Sequence, residues 1–362
     1  MVAGKKYAGP SYSVPETIKN ISKYADVIWI NLRNQFIFNQ DDFQNVKYYN
    51  LGHLNEIGFN NSLEKLTERI DIAVFEDLYY FPFVKISRIL KTKNIPYVVV
   101  PRGSLCAEAQ RKKRIKKYLA NLFFFNSFLK RASKIHFLTN MEAMSSGEKW
   151  NNKYFVIPNG VVIPEIDIKK YDNNKEKKIK GVFIGRIDIF HKGLDILMRA
   201  VSRNKELIIR NNVDIEIYGP VLNNDSYLLS KMIKDLGLEE IVKINDAVYD
   251  VEKSQVLKES DFFILTSRFE GHPTGLLEAL AYGLPALVTY GSNFGEEIEQ
   301  NRAGWTSETN PESLTKTLEQ MLNELEYLDD YRVNARNLAE RYDWASISKR
   351  IYDELSIIVN GD

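Results

Sequence analysis

The turn that decides the fold of this chain reads Glu270-Gly271-His272-Pro273-Thr274-Gly275-Leu276-Leu277-Glu278. An apolar run at residues 261–266 precedes it and predicts a buried strand. The segment that follows ends at Gly283-Leu284-Pro285 and predicts a helix. The stretch is therefore a strand-to-helix turn. In an open parallel sheet such a turn lies at the carboxyl ends of the strands, where ligands bind.

The start of the predicted helix suits a phosphate group. The backbone amides of Thr274, Gly275 and Leu276 are expected to have no intrahelical acceptor, which leaves them free to bind an anion. Pro273 fits the first helical turn because it has no amide hydrogen to satisfy. We therefore expect these residues to bind part of a ligand through their backbone.

Two carboxylates, Glu270 and Glu278, flank this helix start. A carboxylate accepts two hydrogen bonds and matches the vicinal hydroxyls of a ribose or a hexose, whereas it repels a phosphate. The alternative is that Glu270 caps the helix and Glu278 occupies an exposed helical position.

A second strand-to-helix turn lies upstream. Residues 180–185 predict a buried strand and residues 194–201 an amphipathic helix, with Arg186 and Lys192 between them. Arginine can make a bidentate contact with a diphosphate, and lysine supplies a point charge. The alternative is a pair of solvated surface cations.

Together the two turns resemble the donor site of glycosyltransferase family 4, which has the GT-B fold. The resemblance rests on a glycine-arginine pair, five residues, a lysine-glycine pair, and later two glutamates separated by seven residues. It implies two Rossmann-like domains facing across a cleft, with a C-terminal helix crossing back to the first domain. It also implies Arg186 and Lys192 on the diphosphate of a nucleotide sugar, Glu270 on its sugar and Glu278 on its ribose. Arg186, Lys192 and Glu270 are the expected catalytic residues.

The resemblance extends to three other places. The loop at residues 245–249, with Val248, is expected to meet the nucleotide base mainly through its backbone. Gly9, Arg102 and Gly103 are candidates for acceptor or sugar contacts, with a frayed terminus as the alternative for Gly9. Arg102 stands where the family often has histidine, so the role of that histidine does not carry over. Arg102 either binds an acidic group or simply begins a helix.

Length and alternating short apolar and helical runs predict an α/β protein with two domains. We expect an acceptor-binding domain at residues 1–163, a hinge at 164–178, a nucleotide-sugar-binding domain at 179–341 and a C-terminal helix at 342–362. The family's usual first strand is not recognised before the loop-like residues 3–13, so either the start is trimmed or the sheet is built without it. His136 alternates with apolar neighbours and is expected to be a core histidine.

Composition narrows the class of protein. The net charge is +1 with 44% apolar and 27% charged residues, which is typical of an ordinary soluble globular protein and indicates no general attraction to nucleic acid. Cys106 is the single cysteine, so no internal disulfide can form and a reducing compartment is favoured. With no apolar run long enough for a membrane span and no signal-peptide core, we expect a cytoplasmic protein.

One segment, residues 111–134, concentrates positive charge. Ten Lys or Arg residues and one acid, Glu108, lie between Arg102 and Lys134. Docking on the anionic inner face of a membrane would explain the cluster, because each basic residue near such a surface contributes about 1 kcal/mol. The alternative is a solvated helix whose apolar side packs on the sheet. That apolar side carries Ile115, Leu119, Leu122 and Phe123.

The resemblance implies a retaining glycosyltransferase that uses a nucleotide-diphosphate sugar, with UDP-sugars favoured. Its acceptor is expected to be a glycan or lipid-linked glycan in bacterial surface polysaccharide synthesis. No Asp-x-Asp triplet occurs and there are four histidines, so neither a metal nor another cofactor is expected. The alternatives are a sugar-nucleotide 2-epimerase, a glycan phosphorylase, and a non-catalytic subunit that binds a nucleotide sugar.

Overall fold

The computed structural model describes residues 9–32, 43, 45–52, 54, 56–111, 114–150, 153–170, 177–220 and 224–361. The chain forms two compact units. Unit 1 comprises Met1–Gly160 and Trp344–Asp362, and unit 2 comprises Val161–Asp343. Both are α/β with parallel sheets, as the sequence predicted.

The described residues of unit 1 form two parallel sheets. Helix α1 (Gly9–Ile21) precedes a two-stranded sheet of β1 (Val27–Asn31) and β2 (Val46–Asn50). A four-stranded sheet follows in the order β3 (Ala73–Glu76), β4 (Tyr97–Val100), β5 (Lys134–Phe137) and β6 (Tyr154–Val156). The helices between the strands are α2 (Glu56–Thr67), α3 (Phe81–Thr92), α4 (Ala107–Arg111), α5 (Arg114–Ala120), a π-helical turn (Asn121–Phe125), α6 (Asn126–Lys130) and α7 (Asn140–Trp150).

Two parts of unit 1 differ from expectation. Helix α1 begins at Gly9, so the loop predicted for residues 3–13 was wrong over 9–13, while 3–8 lie outside the described residues. The Gly-Pro sequence at its start is compatible with a first helical turn, where proline costs no hydrogen bond. Strand β2 was not predicted, because exposed Lys47 interrupts its apolar pattern.

The histidine of β5 lies in the core, as predicted. His136 is 6% exposed, its Nε2 lies 2.7 Å from the carbonyl oxygen of Ile157, and its ring stacks on Phe155 at 4.6 Å. Burial lowers the pKa of His136 to about 4. The histidine is therefore neutral near pH 7 and serves packing.

Unit 2 is a single six-stranded parallel sheet with helices between its strands. Its strands follow the order β12-β11-β10-β7-β8-β9, which is the doubly wound order in which the direction of winding reverses between β7 and β10. The elements are β7 (Ile179–Ile184), α8 (Leu194–Arg203), α9 (Lys205–Arg210), β8 (Val213–Tyr218), α10 (Asp225–Asp235), β9 (Val242–Asn245), α11 (Asp250–Glu259), β10 (Phe262–Leu265), α12 (Thr274–Ala281), β11 (Ala286–Thr289), α13 (Gly295–Gln300), β12 (Gly304–Ser307), α14 (Pro311–Asn323) and α15 (Leu328–Glu340).

The first part of the expected hinge is tied to unit 2. Arg336 donates to the carbonyl of Pro164 at 2.9 Å, and Arg332 donates to the carbonyl of Lys169 at 2.6 Å. Arg332 is 1% exposed and also bonds Asp261 at 2.6 Å, so its charge is paired within the core. These contacts hold residues 164–169 on the unit, while residues 171–176 lie outside the described residues.

The last helix, α16 (Trp344–Asn360), belongs to unit 1. Its buried residues Trp344, Ile347 and Ile351 form one cluster with Val98 of β4, and with Phe155 and Ile157. The C-terminal helix therefore packs on the first unit, as the family resemblance implied. Within the described part of the chain, no helix has the length and hydrophobicity needed to cross a membrane.

Truncating the buried face of α16 should destabilise unit 1. Ile347 is fully buried, so Ile347→Ala should lower the free energy of unfolding by about 2–5 kcal/mol through lost burial and a residual cavity. Val359 on the same helix is 43% exposed, and Val359→Ala should change it by less than about 0.5 kcal/mol. Chemical denaturation of both variants measures the difference. Equal effects would show that α16 is not held by this cluster.

Candidate functional site

The pairing of β7 with β10 brings the two charged turns together. Phe262 lies opposite Gly181 and Phe263 opposite Val182 in a parallel register. A Cβ atom on Gly181 would lie 2.3 Å from the Phe262 ring, so glycine lets the strands pack at this point. Both strands end at the same edge of the sheet, so the turns that follow them are neighbours at the switch point.

Lys192 and Glu270 meet there directly. The Lys192 Nζ atom lies 2.5 Å from Glu270 Oε1, and their side chains are 13% and 11% exposed. Ser267 Oγ donates to the same oxygen at 2.6 Å, and the Asn293 amide donates to the Glu270 carbonyl. Among the described residues, Glu270 Oε2 accepts no hydrogen bond. The carboxylate is thus fixed in place with one oxygen available to a ligand.

The backbone of the turn after β7 packs closely against the end of β10. Thr266 Oγ1 donates to the carbonyls of Lys192 and Gly193 at 3.1 and 3.2 Å. Gly193 has φ of 61°, and a Cβ atom there would lie 2.0 Å from the Thr266 carbonyl oxygen. Only glycine allows this close approach and this left-handed conformation. Gly193 therefore sets the position of Lys192.

Arg186 contacts a histidine, His191, for which no role was predicted. Arg186 is exposed, and its Nη2 lies 3.5 Å from His191 Nδ1. His191 Nε2 donates to the Phe269 carbonyl at 2.8 Å, and the two rings stack at 4.2 Å. Burial lowers the pKa of His191, which favours the neutral ring with Nδ1 as acceptor. His191 thus links the two turns, and its place beside Lys192 was the signal for it.

The start of α12 differs in part from expectation. The helix begins at Thr274, and Pro273 is the residue before it rather than part of the first turn. The amides of Thr274 and Leu276 donate to the carbonyls of His272 and Pro273 at 3.0 and 3.1 Å. The expectation of three free amides was wrong for these two, because the turn closes on itself. In the described structure, the Gly275 amide has no acceptor, so it is the one of the three that stays available to an anion.

Glu278 is neither isolated nor fully exposed. It pairs with Lys253 of α11, and the two side chains are 21% and 26% exposed. Helix α11 follows the loop at residues 245–249, in which Val248 is half-buried at the carboxyl end of β9. The Lys253 contact, which was not predicted, therefore joins the helix that follows the expected base loop to the expected ribose carboxylate. Among the described ion pairs and hydrogen bonds, none joins Glu278 to Lys192 or Glu270.

The candidate acceptor residues lie in unit 1. Arg102 and Gly103 follow β4 with φ of 50° and 80°. Arg102 Nε bonds Glu76 at 2.8 Å and its Nη1 donates to Ser13 of α1, the helix that Gly9 begins, at 3.0 Å. The guanidinium is 8% exposed and already paired. Arg102 is therefore a buried and paired cation that links the turn after β4 to β3 and α1.

A buried glutamate fixes the same turn. Glu142 accepts from the amides of Gly103 at 2.5 Å and Leu138 at 3.0 Å. Burial raises the pKa of Glu142, while the two amides oppose this shift. Because its oxygens bridge the ends of β4 and β5, Glu142 holds these two strand ends together. The sequence offered no signal for it, since it lies inside an ordinary helix.

Unit 2 is thus a doubly wound α/β domain with charged turns at its switch point, which is where sheets of this kind bind ligands. Residues 165–338 match the model of the family described as Glycosyl transferases group 1. Over 354 residues the chain is 23% identical to the uncharacterized glycosyltransferase MJ1178 of Methanocaldococcus jannaschii, covering 94% of this chain and 93% of the relative. Residues 165–338 therefore carry the domain of this family, and the chain is an enzyme of the glycosyltransferase class.

Two further comparisons extend this result. The GDP-mannose:cellobiosyl-diphosphopolyprenol alpha-mannosyltransferase of Komagataeibacter xylinus is 26% identical over 172 residues, covering 46% of this chain and 43% of the relative. The crystal structure of Anabaena HepE in complex with UDP and glucose superposes with a TM-score of 0.69 at 17% identity, covering 97% of each chain. The structural likeness supports the GT-B fold.

The packing of Gly193 against β10 can be tested beside an open glycine of the same site. Gly193→Ala places a Cβ atom against the Thr266 carbonyl in a left-handed conformation, so it should lower the unfolding free energy of unit 2 by more than about 2 kcal/mol. A Cβ atom on Gly271 meets nothing within 4 Å, so Gly271→Ala is the matched control and should be near neutral. Thermal denaturation compares them, and a stable Gly193→Ala protein would contradict this geometry.

Proposed function

We propose that the chain transfers a sugar from a nucleotide-diphosphate sugar, with UDP-sugars favoured, to a glycan or lipid-linked glycan, with retention of the anomeric configuration. The observation that carries the proposal is the nearly buried Lys192–Glu270 contact at the switch point of unit 2. The UDP and glucose bound by HepE support the donor class. The diphosphopolyprenol acceptor in the name of the Komagataeibacter xylinus enzyme supports a role in bacterial surface polysaccharide synthesis.

The diphosphate is proposed to lie against Lys192, Arg186 and the Gly275 amide. Departure of the nucleotide concentrates negative charge on the phosphate oxygens, and preorganised cations and amides lower the energy of that state. Lys192 is held by Glu270, and Arg186 is oriented by neutral His191. With two cations at this position, we propose that the transfer requires neither a metal nor another cofactor.

The sugar and the nucleoside are proposed to meet the carboxylates. Glu270 Oε2 accepts from hydroxyls of the donor sugar, while Glu278 accepts from the ribose and the loop around Val248 lines the base. Pro273, Thr274, Gly275 and Leu276 contribute backbone surface beside the diphosphate, since the Leu276 side chain is 1% exposed. This arrangement assigns each expected donor residue one part of the nucleotide sugar.

The chemical step follows from this placement. The bond between the anomeric carbon and the leaving phosphate oxygen breaks, and a bond to the acceptor oxygen forms on the same face of the sugar. The leaving phosphate takes the proton of the acceptor hydroxyl. Lys192 and Arg186 stabilise the developing charge, and Glu270 orients the sugar.

The acceptor is proposed to meet unit 1 at the edge that carries Gly9, Arg102 and Gly103. Arg102 keeps its contacts with Glu76 and Ser13 and so fixes the shape of the turn that the acceptor would meet. We also propose a cytoplasmic location, because Cys106 is the single cysteine and suits a reducing compartment.

Removing either partner of the central pair should abolish transfer. Lys192→Ala and Glu270→Ala should each lower the rate of nucleotide diphosphate release by about 100-fold or more, because each removes charge stabilisation or sugar positioning. The assay follows release from UDP-, GDP- and ADP-sugars with a lipid extract as acceptor, in the presence of EDTA. Arg203→Ala removes a charge from an exposed ion pair with Glu312 in the same unit, and this control should keep full activity.

Three outcomes would count against the proposal. If Lys192→Ala and Glu270→Ala leave nucleotide diphosphate release unchanged, these two residues do not form the catalytic site. Binding of the nucleotide sugar without release would favour a non-catalytic subunit. Activity that EDTA abolishes and Mg²⁺ restores would contradict the metal-free transfer.

A further inference from the structure

The helical segment from α5 to α6 has two apolar sides. One side enters the core of unit 1, where Phe125, Phe128 and Leu129 are at most 1% exposed. The other side carries Ile115, Leu119, Leu122 and Phe123, which are 77%, 47%, 54% and 66% exposed. We call these four residues the exposed stripe. Their spacing of four, three and one residues places them on one side of a helix.

The exposure of the stripe contradicts one alternative from the sequence. That alternative was a solvated helix whose apolar side packs on the sheet. In the structure none of its four residues is buried, and α5 contains no buried residue at all. The core residues Phe125, Phe128 and Leu129 come later, at the end of the π-helical turn (Asn121–Phe125) and beyond it, since this turn adds a residue and shifts the helical register.

The segment is held firmly on unit 1, so its exposure does not result from a detached helix. Asn121 donates to Gln110 at 3.1 Å, and Gln110 donates to the hydroxyl of Tyr79 at 2.7 Å and to the carbonyl of Ser104 at 2.6 Å. Lys117 Nζ lies 5.0 Å from the centre of the Tyr79 ring. These contacts fix the stripe in an outward orientation and connect it to the turn after β4.

An aromatic residue from another helix enlarges the surface. Phe81, at the start of α3, is 58% exposed and its ring lies 5.3 Å from that of Phe124, which is 38% exposed. Exposed apolar residues scattered singly are common, whereas a contiguous group from two helices indicates an interaction surface.

Basic residues accompany the exposed stripe. Within the described residues the exposed cations of this segment are Arg111, Arg114, Lys116, Lys130 and Arg131. The sequence adds Lys112 and Lys113 and has one acid, Glu108, between Arg102 and Lys134. A second copy of the chain would bring two basic surfaces together, which repel each other. An anionic bilayer complements both features, because its phosphates attract the cations and its acyl chains accept the apolar side chains.

We propose that unit 1 docks on an anionic membrane surface through the exposed stripe, with Leu119, Leu122 and Phe123 in the headgroup and acyl boundary and the cations on lipid phosphates. The helices lie in the plane of the surface and do not span it. Because Gln110 also bonds Ser104, the turn that carries Arg102 and Gly103 is adjacent to the docked segment. Docking would present a lipid-borne acceptor at this turn. This consequence alone rests on the proposed function.

Vesicle flotation tests the docking without any donor or acceptor. The full chain should bind vesicles of phosphatidylcholine with phosphatidylglycerol and bind pure phosphatidylcholine weakly. Lys116→Glu, Lys130→Glu and Arg131→Glu together should lower the partition coefficient on the order of 100-fold or more, and salt should have a similar effect. Leu119→Ser with Phe123→Ser should lower it at least about 10-fold on both lipid mixtures. Folding of each variant is checked by thermal denaturation.

The matched control replaces exposed apolar residues elsewhere. Ile209 and Val333 of unit 2 are 57% and 49% exposed, and Ile209→Ser with Val333→Ser should leave binding unchanged. Equal binding of the parent and the Leu119→Ser, Phe123→Ser variant, or no binding to anionic vesicles, would overturn the proposal. A concentration-dependent dimer that this variant abolishes would also overturn it and identify the stripe as a contact between copies. Nucleotide release is measured separately, so failure of docking is distinguishable from failure of the proposed function.

Discussion

The parallel pairing of β7 with β10 is the constraint on which the proposed donor site depends. It places two turns that are about eighty residues apart in sequence at one edge of one sheet. Two glycines make this possible because they have no Cβ atom. The Phe262 ring packs against Gly181, and the Thr266 carbonyl packs against Gly193. Without this close packing, the side chains of Lys192 and Glu270 would not be brought into contact.

The Lys192–Glu270 pair joins two parts of the proposed reaction. Each charge lies in a nearly buried position, where an unpaired charge would be costly, so each holds the other in place before a ligand arrives. A diphosphate and a sugar hydroxyl would then share these groups without rearrangement of the backbone. His191 and Lys253 act similarly at the edges of the site, since they hold Arg186 and Glu278 respectively. Preorganisation of this kind is what charge stabilisation in a transferase requires.

Much of the fold followed from short apolar strands and glycine turns. Strands β7 and β10 lie within one residue of the runs predicted at 180–185 and 261–266, because uninterrupted apolar runs such as Phe262–Leu265 are typical of buried parallel strands. Strand β2 escaped prediction because its alternating polar residues resemble a loop, and the start of α1 escaped because Gly9 and Pro10 are typical of turns. The turn residues were predictable from spacing, and the position of His191 next to Lys192 was a usable signal. Lys253 and Glu142 were not predictable, because tertiary contacts alone give them partners. The outward direction of the exposed stripe depends on the π-helical turn, which periodicity does not reveal.

The most direct measurement of the central claim is a crystal structure of the chain with a bound nucleotide sugar, or with UDP. The account predicts that the diphosphate lies beside Lys192 and Arg186, the ribose beside Glu278 and the sugar beside Glu270, with β7 and β10 unchanged. A nucleotide that binds with full occupancy elsewhere, and leaves the Lys192–Glu270 contact facing solvent, would contradict it.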